Sequence, residues 1–177
     1  CVSIAAAISL WLIVTRLERR PLGSYGLADR ARGIPQFLQG IGLGIGVLAT
    51  LFAIGLAAGF CRIEVTPDRF KLWRVLLGFL PAAIVVGILE ELVFRGFVLQ
   101  QLLACSRTLA IIGSSAAYSL VHLKMSTVTL STWLELGGLF LLGAVLALSY
   151  LRTKQLYLAI GLHAALAYGA RVNKLLI

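Results

Sequence analysis

The sequence predicts an all-α fold, a polytopic transmembrane helix bundle of about six spans. Three observations carry that prediction. Apolar residues make up 60% of the chain and charged residues only 13%, with a mean hydropathy of +0.97, whereas soluble domains lie nearer half apolar and a quarter charged. The apolar residues are gathered into runs about as long as a bilayer crossing needs. Between the runs lie polar segments rich in Arg, Gly and Pro. A soluble fold of 177 residues would leave too much of this apolar surface in water, and a bilayer removes the difficulty by acting as solvent for the outer face.

Taken in order, the first run covers 2–15 and begins directly after Cys1, as expected of a chain whose start lies upstream. It has no basic leader, because Arg16, Arg19 and Arg20 follow it, so it does not read as a signal peptide. The stretch ERRPLGSYGLADRARG then marks a loop through Pro21 and its glycines. A second span is expected over about 36–60. Its Gly40, Gly42, Gly44 and Gly46 give two overlapping GxxxG spacings, which fit a specific docking face or, as the favoured reading, ordinary close helix packing. The third helix runs from 72–75 to about 104, longer than the hydrocarbon core requires at 1.5 Å per residue, with Pro81 a candidate kink. Spans over about 108–123, 131–151 and 156–176 complete the set. No repeat or linker interrupts them, so one structural domain is expected, with N-terminal spans and basic loops in 1–74 and the chemistry-bearing bundle in 75–177.

The net charge of +9 raises the question of nucleic acid, but nine of the sixteen basic residues lie in two loops, 16–32 and 62–74, each flanked by apolar runs. Basic residues beside spans are what anionic headgroups and the positive-inside rule select. Aromatic interleaving for base stacking is missing, so the lipid bilayer is the expected partner and nucleic acid is not. Loops on the side of 16–32 carry eight basic residues and those on the other side seven; the cluster after the first run favours its side as cytoplasmic. Cys1, Cys61 and Cys105 show no metal-binding spacing. Cys61 and Cys105 fall on opposite faces and cannot approach within the ~7 Å that a disulfide needs, whereas Cys1 and Cys61 can share a face.

Of the seven acidic residues, Glu18, Asp29, Glu64 and Asp68 sit in loops, and Glu135 is near enough to a span end to snorkel. The remaining two, Glu90 and Glu91, are adjacent inside PAAIVVGILEELVFRGFVLQQLL, followed by Arg95. Charged groups at membrane depth cost at least about 2.5–3.5 kcal/mol each and normally face a partner or a wet site. Glu91 and Arg95 are four apart and can pair. Glu90 points about 100° away from Glu91 around the helix and is left for other work, which suits a general acid or base. A buried ion pair that merely fixes packing is the bland alternative. The only histidines, His122 and His163, also lie in spans. Ser115, Ser119 and His122 form an i, i+4, i+7 polar stripe with Tyr118 beside it.

These residues resemble a family. EELVFRG matches the EExxxR signature of the CAAX-protease and bacteriocin-processing proteins, the intramembrane proteases that include the Rce1-type prenyl-protein endopeptidase. YSLVH is similar to their FxxxH signature with Tyr118 for Phe, and His163 stands where HxxxN begins. The resemblance covers about residues 75–170. It implies an intramembrane endopeptidase in which Glu90 activates the attacking water, Glu91 and Arg95 complete and orient the site, His122 holds the water with Glu90, and His163 stabilises the oxyanion. One departure is plain: the expected Asn four after His163 is Ala167. Asn173 is ten residues on, about 15 Å along a helix, and cannot replace it. The resemblance implies either a metal-assisted or a glutamate-only reaction. Zinc is the alternative cofactor, and its ligands would be Glu90, His122 and His163, although no HExxH is present. The implied substrate is a membrane-associated or lipid-modified protein or peptide, and the implied location a prokaryotic plasma membrane. Two other readings stay open: a catalytically degenerate scaffold or immunity-type member, and a proton-coupled transporter, although no inverted repeat supports the latter. On linear boundaries His122 and His163 are not level in the membrane.

Overall fold

The computed structural model describes residues 22–28, 30–60, 62, 68–123 and 129–176. The expected first run, 2–15, and Cys1 and Cys61 lie outside these residues. Among the described residues there are helices and no strands. α1 is Arg30–Ala57 and α2 is Arg69–Glu91. The chain then continues without a break through a π-helical stretch, Leu92–Val98, into α3, Leu99–Leu103. α4 is Arg107–Leu120, α5 Leu130–Thr153 and α6 Tyr157–Leu176. A 3₁₀ turn, Leu22–Tyr25, precedes α1.

Local sequence explains these bounds. Ser106 caps α4 by accepting from the Leu109 N–H at 3.0 Å, and Thr129 with Thr132 forms a reciprocal capping box at the start of α5. α5 stops where Lys154 turns left-handed, φ 56°. α1 starts earlier than composition suggested, because Gly33 is drawn into the helix and packs against the Tyr157 ring. Helical winding runs through Pro81, and the departure from α geometry comes later, at Leu92–Val98.

Three stretches, Ala31–Ala57, Leu72–Leu103 and Leu130–Thr153, are long and apolar enough to cross a membrane. α4 has 14 residues, about 21 Å, short of a hydrocarbon core of about 30 Å. At its end the His122 and Leu123 N–H groups tighten back onto the Ser119 and Leu120 carbonyls, three residues before each. The outer surface is apolar, with Leu38, Ile45, Leu51, Leu77, Leu134 and Leu141 all exposed, as a lipid-facing surface requires.

α6 is the centre of the bundle. α1 lies parallel to it at backbone contact: a Cβ on Gly40 would strike the backbone of Leu158 and Leu162, one on Gly161 the Phe37 carbonyl, and one on Gly44 the Ala165 methyl. Gly42 and Gly46 meet nothing within 4 Å. One GxxxG face is therefore internal packing and the other faces outward. α2 runs antiparallel to α6, with Gly87 against Ile160 and Ala164 and the Tyr168 hydroxyl donating to the Leu76 carbonyl at 3.0 Å. The main core joins Leu99, Ala110, Ala147, Leu151, Leu156 and Ile160 from α3 to α6.

The turn between α5 and α6 is sunk into the bundle. Leu156 is fully buried, its N–H donates to the Gly26 carbonyl at 2.9 Å, and its side chain meets Gly96. Gly26, at φ 108°, has no room for a side chain between Leu156 and Tyr150. α6 thus begins level with Gly96–Leu99 rather than with the α3–α4 connection. That stagger removes the depth mismatch expected from linear boundaries, since two turns further on His163 reaches the height of Glu90 and Glu91.

Candidate active site

The five polar residues at membrane depth meet in one cluster. Glu91 and Arg95 are fully buried, Glu90 and His163 are 7% and 5% exposed, and the His122 side chain, at 33%, is the most open of the group. α2 supplies Glu90 and Glu91, the π-helical stretch Arg95, the end of α4 His122, and α6 His163. π winding is frequent at functional sites, and here it begins directly after the two carboxylates.

Arg95 holds the frame. Its Nη1 donates to Glu91 Oε1 at 2.8 Å, and its Nη2 donates to the Gly143 carbonyl of α5 at 3.1 Å. Gly143 sits so close to α4 that a Cβ there would lie 3.0 Å from the Ser115 Cα, which brings that carbonyl within reach. The guanidinium also lies 4.6 Å above the Tyr118 ring, a cation–π contact that favours a desolvated charge. A buried pair needs such additional contacts to offset its desolvation.

The histidine tautomers follow from their partners. His122 Nδ1 is 2.8 Å from the Tyr118 carbonyl, which can only accept, so Nδ1 carries the proton. His163 Nδ1 is 2.8 Å from Glu91 Oε1. That oxygen already accepts from Arg95, so here too Nδ1 donates. With Nδ1 so engaged, both rings turn Nε2 toward Glu90: His163 Nε2 is 3.6 Å and His122 Nε2 3.8 Å from Glu90 Oε2.

Zinc was the alternative cofactor. Zn–N bonds of about 2.0–2.1 Å at tetrahedral angles put neighbouring donors about 3.3–3.4 Å apart, and the spacings here are wider. Among the described residues no group of three His, Cys, Asp or Glu is arranged to hold a metal ion. The donor types suit zinc but their spacing does not, and no step below passes through a metal.

Some features of the cluster were not assigned from sequence. Gly143 anchors Arg95. Glu91 accepts from two donors, Arg95 and the His163 N–H, rather than one. Tyr118 is 2% exposed and packs against His122 at 4.9 Å, edge-on to His163 at 5.7 Å and edge-on to Phe94 at 5.4 Å between ring centroids. The serines of the α4 stripe do not join them: Ser115 donates to the Ile111 carbonyl and Ser119 to the Leu136 carbonyl of α5. Gly87 makes room for α6. Cys105 is a free, exposed thiol at the α3–α4 connection.

A family model for type II CAAX prenyl endopeptidase Rce1-like proteins matches residues 72–168. That segment takes in α2 to α5 and α6 as far as Tyr168, and with them every residue of the cluster. Searches of curated proteins and of solved structures returned no match. With more than half of the chain matched and the helical architecture in agreement, the protein is an integral membrane member of the Rce1-like CAAX prenyl endopeptidase family.

Proposed function

We propose that this protein hydrolyses a peptide bond at the membrane, with Glu90 as general base. The observation that carries the reading is that one carboxylate oxygen, Glu90 Oε2, faces two imidazole lone pairs at 3.6 and 3.8 Å in an otherwise buried cluster. A water placed there gives one O–H to Glu90 and the other to His122 Nε2, leaving an oxygen lone pair for the scissile carbonyl. Attack forms the C–O bond and moves the carbonyl π electrons onto oxygen, while Glu90 takes the proton. Collapse of the tetrahedral intermediate breaks the C–N bond, and Glu90 returns the proton to the departing amine. Glu91 stays ionised between Arg95 and His163 and fixes the His163 ring. It is a positioning residue.

The substrate is a membrane-associated or lipid-modified protein. A groove of about 400 Å³ between α1, α2 and α6 supports this, because its lining is apolar and includes Ile88 and Ile160, each one turn from Glu91 and His163. The test is a comparison of protein C-termini in membranes that carry the wild-type chain or Glu90→Gln, together with cleavage of a quenched-fluorescent prenylated CAAX peptide. Wild type should generate new C-termini that the variant lacks, with a rate loss of about 10²-fold or more. Equal cleavage by both would overturn the mechanism. A non-proteolytic scaffold or a transporter predicts no product from either.

A further inference from the structure

The geometry points to the Tyr118 hydroxyl as the donor that stabilises the oxyanion of the tetrahedral intermediate, a catalytic role for this residue that rests on the hydrolytic reading above. An oxyanion next to Glu90 needs a neutral or cationic hydrogen-bond donor within reach, and the obvious side chains are already committed. Arg95 directs Nη1 to Glu91 and Nη2 to the Gly143 carbonyl, and its Nε, although without a partner, has no accessible surface for a substrate to meet. The His122 N–H is given to the Tyr118 carbonyl, and the His163 N–H to Glu91. Their remaining ring nitrogens carry lone pairs and can only accept while the rings are neutral. Ser114 and Ser115 donate to the Ile111 carbonyl, and Ser119 to that of Leu136. One turn beyond His163, position 167 is an alanine and offers nothing.

Tyr118 is the exception. Its ring touches Arg95, His122 and His163 at once. Buried tyrosine hydroxyls usually find a partner, and Tyr157 and Tyr168 give theirs to the Leu27 and Leu76 carbonyls. No hydrogen bond ties the Tyr118 hydroxyl to a described residue. Its O–H therefore remains for a bound molecule. The cationic Arg95 lies 4.6 Å from the ring, which favours negative charge building up beside the phenol.

The balance is simple. As the water oxygen bonds to the carbonyl carbon and Glu90 takes the proton, the carbonyl oxygen gains the electron pair and accepts the Tyr118 O–H. No proton leaves the phenol, and the bond is released when the C–N bond breaks.

The decisive experiment compares four full-length proteins in vesicles on the quenched-fluorescent prenylated CAAX peptide: wild type, Glu90→Gln, Tyr118→Phe, and Tyr118→Phe combined with Ala167→Asn. Tyr118→Phe keeps the ring and removes only the hydroxyl. Its kcat should fall about 10²–10³-fold, the loss typical of one oxyanion donor, with KM and melting temperature unchanged. The double variant should recover activity by supplying an amide donor from α6. Tyr118→Phe with a wild-type kcat overturns the inference and leaves the Glu90 reading standing if Glu90→Gln is dead. A fall in melting temperature that accounts for the lost rate, with no rescue by Ala167→Asn, also overturns it. An inactive wild type removes the hydrolytic reading and this inference together.

Discussion

Replacing Arg95 by Gln should destabilise the bundle more than any other single change in the cluster. The guanidinium and the Glu91 carboxylate are both 0% exposed and 2.8 Å apart. Loss of the arginine leaves Glu91 as a buried anion with only the His163 N–H, and it strips the Gly143 carbonyl of its side-chain donor. Breaking a buried pair by deleting one partner costs about 3–5 kcal/mol. A chain of this size loses roughly 2–4 °C of melting temperature per kcal/mol, so the expected fall is roughly 6–20 °C. Thermal unfolding in detergent, followed by tryptophan fluorescence, measures it. Arg95→Lys should fall between, since a lysine keeps the charge but cannot reach Glu91 and Gly143 with a fork. An Arg95→Gln protein that melts within about 2 °C of wild type would refute the view that Arg95 holds the frame.

Gly40→Val should fail to pack α1 on α6, because the new atoms meet backbone at Leu158 and Leu162, and overpacking of this kind costs about 1–3 kcal/mol or more. Gly42→Val, facing open space two residues on, should change the melting temperature by no more than about 0.5 kcal/mol would; equal effects from the two would refute the assigned interface. Ser119→Ala deletes the 2.7 Å bond to the Leu136 carbonyl that pins α4 to α5, and should cost about 1 kcal/mol without altering kcat, which a paired melting and cleavage assay checks.

Much of the site was legible because it breaks the chain's own pattern. In a sequence this apolar, Glu90, Glu91, Arg95, His122 and His163 stand out by cost alone, and the i, i+4 spacing was enough to read the Glu91–Arg95 contact. The helical class followed from run length and composition. The stagger of the helix ends was not legible, because it depends on the α5–α6 turn being sunk against Gly26 and Gly96, a tertiary contact with no local signal. The same holds for Gly143, which looks like any other small residue in a span. The four glycines of α1 signalled close packing, but only the partner helix shows that Gly40 and Gly44 face inward while Gly42 and Gly46 face outward. Tyr118 drew attention as a departure from Phe, and its value emerges only when the other donors are counted in three dimensions.

The central claim is that Glu90 activates water rather than attacking the substrate itself. A single turnover in H₂¹⁸O, with enzyme in excess over the prenylated CAAX peptide, tests it most directly. The account predicts that the first product carries one ¹⁸O in its new carboxylate and that Glu90 stays unlabelled. An unlabelled first product with ¹⁸O left on the Glu90 carboxylate would mean a covalent acyl intermediate and would contradict it.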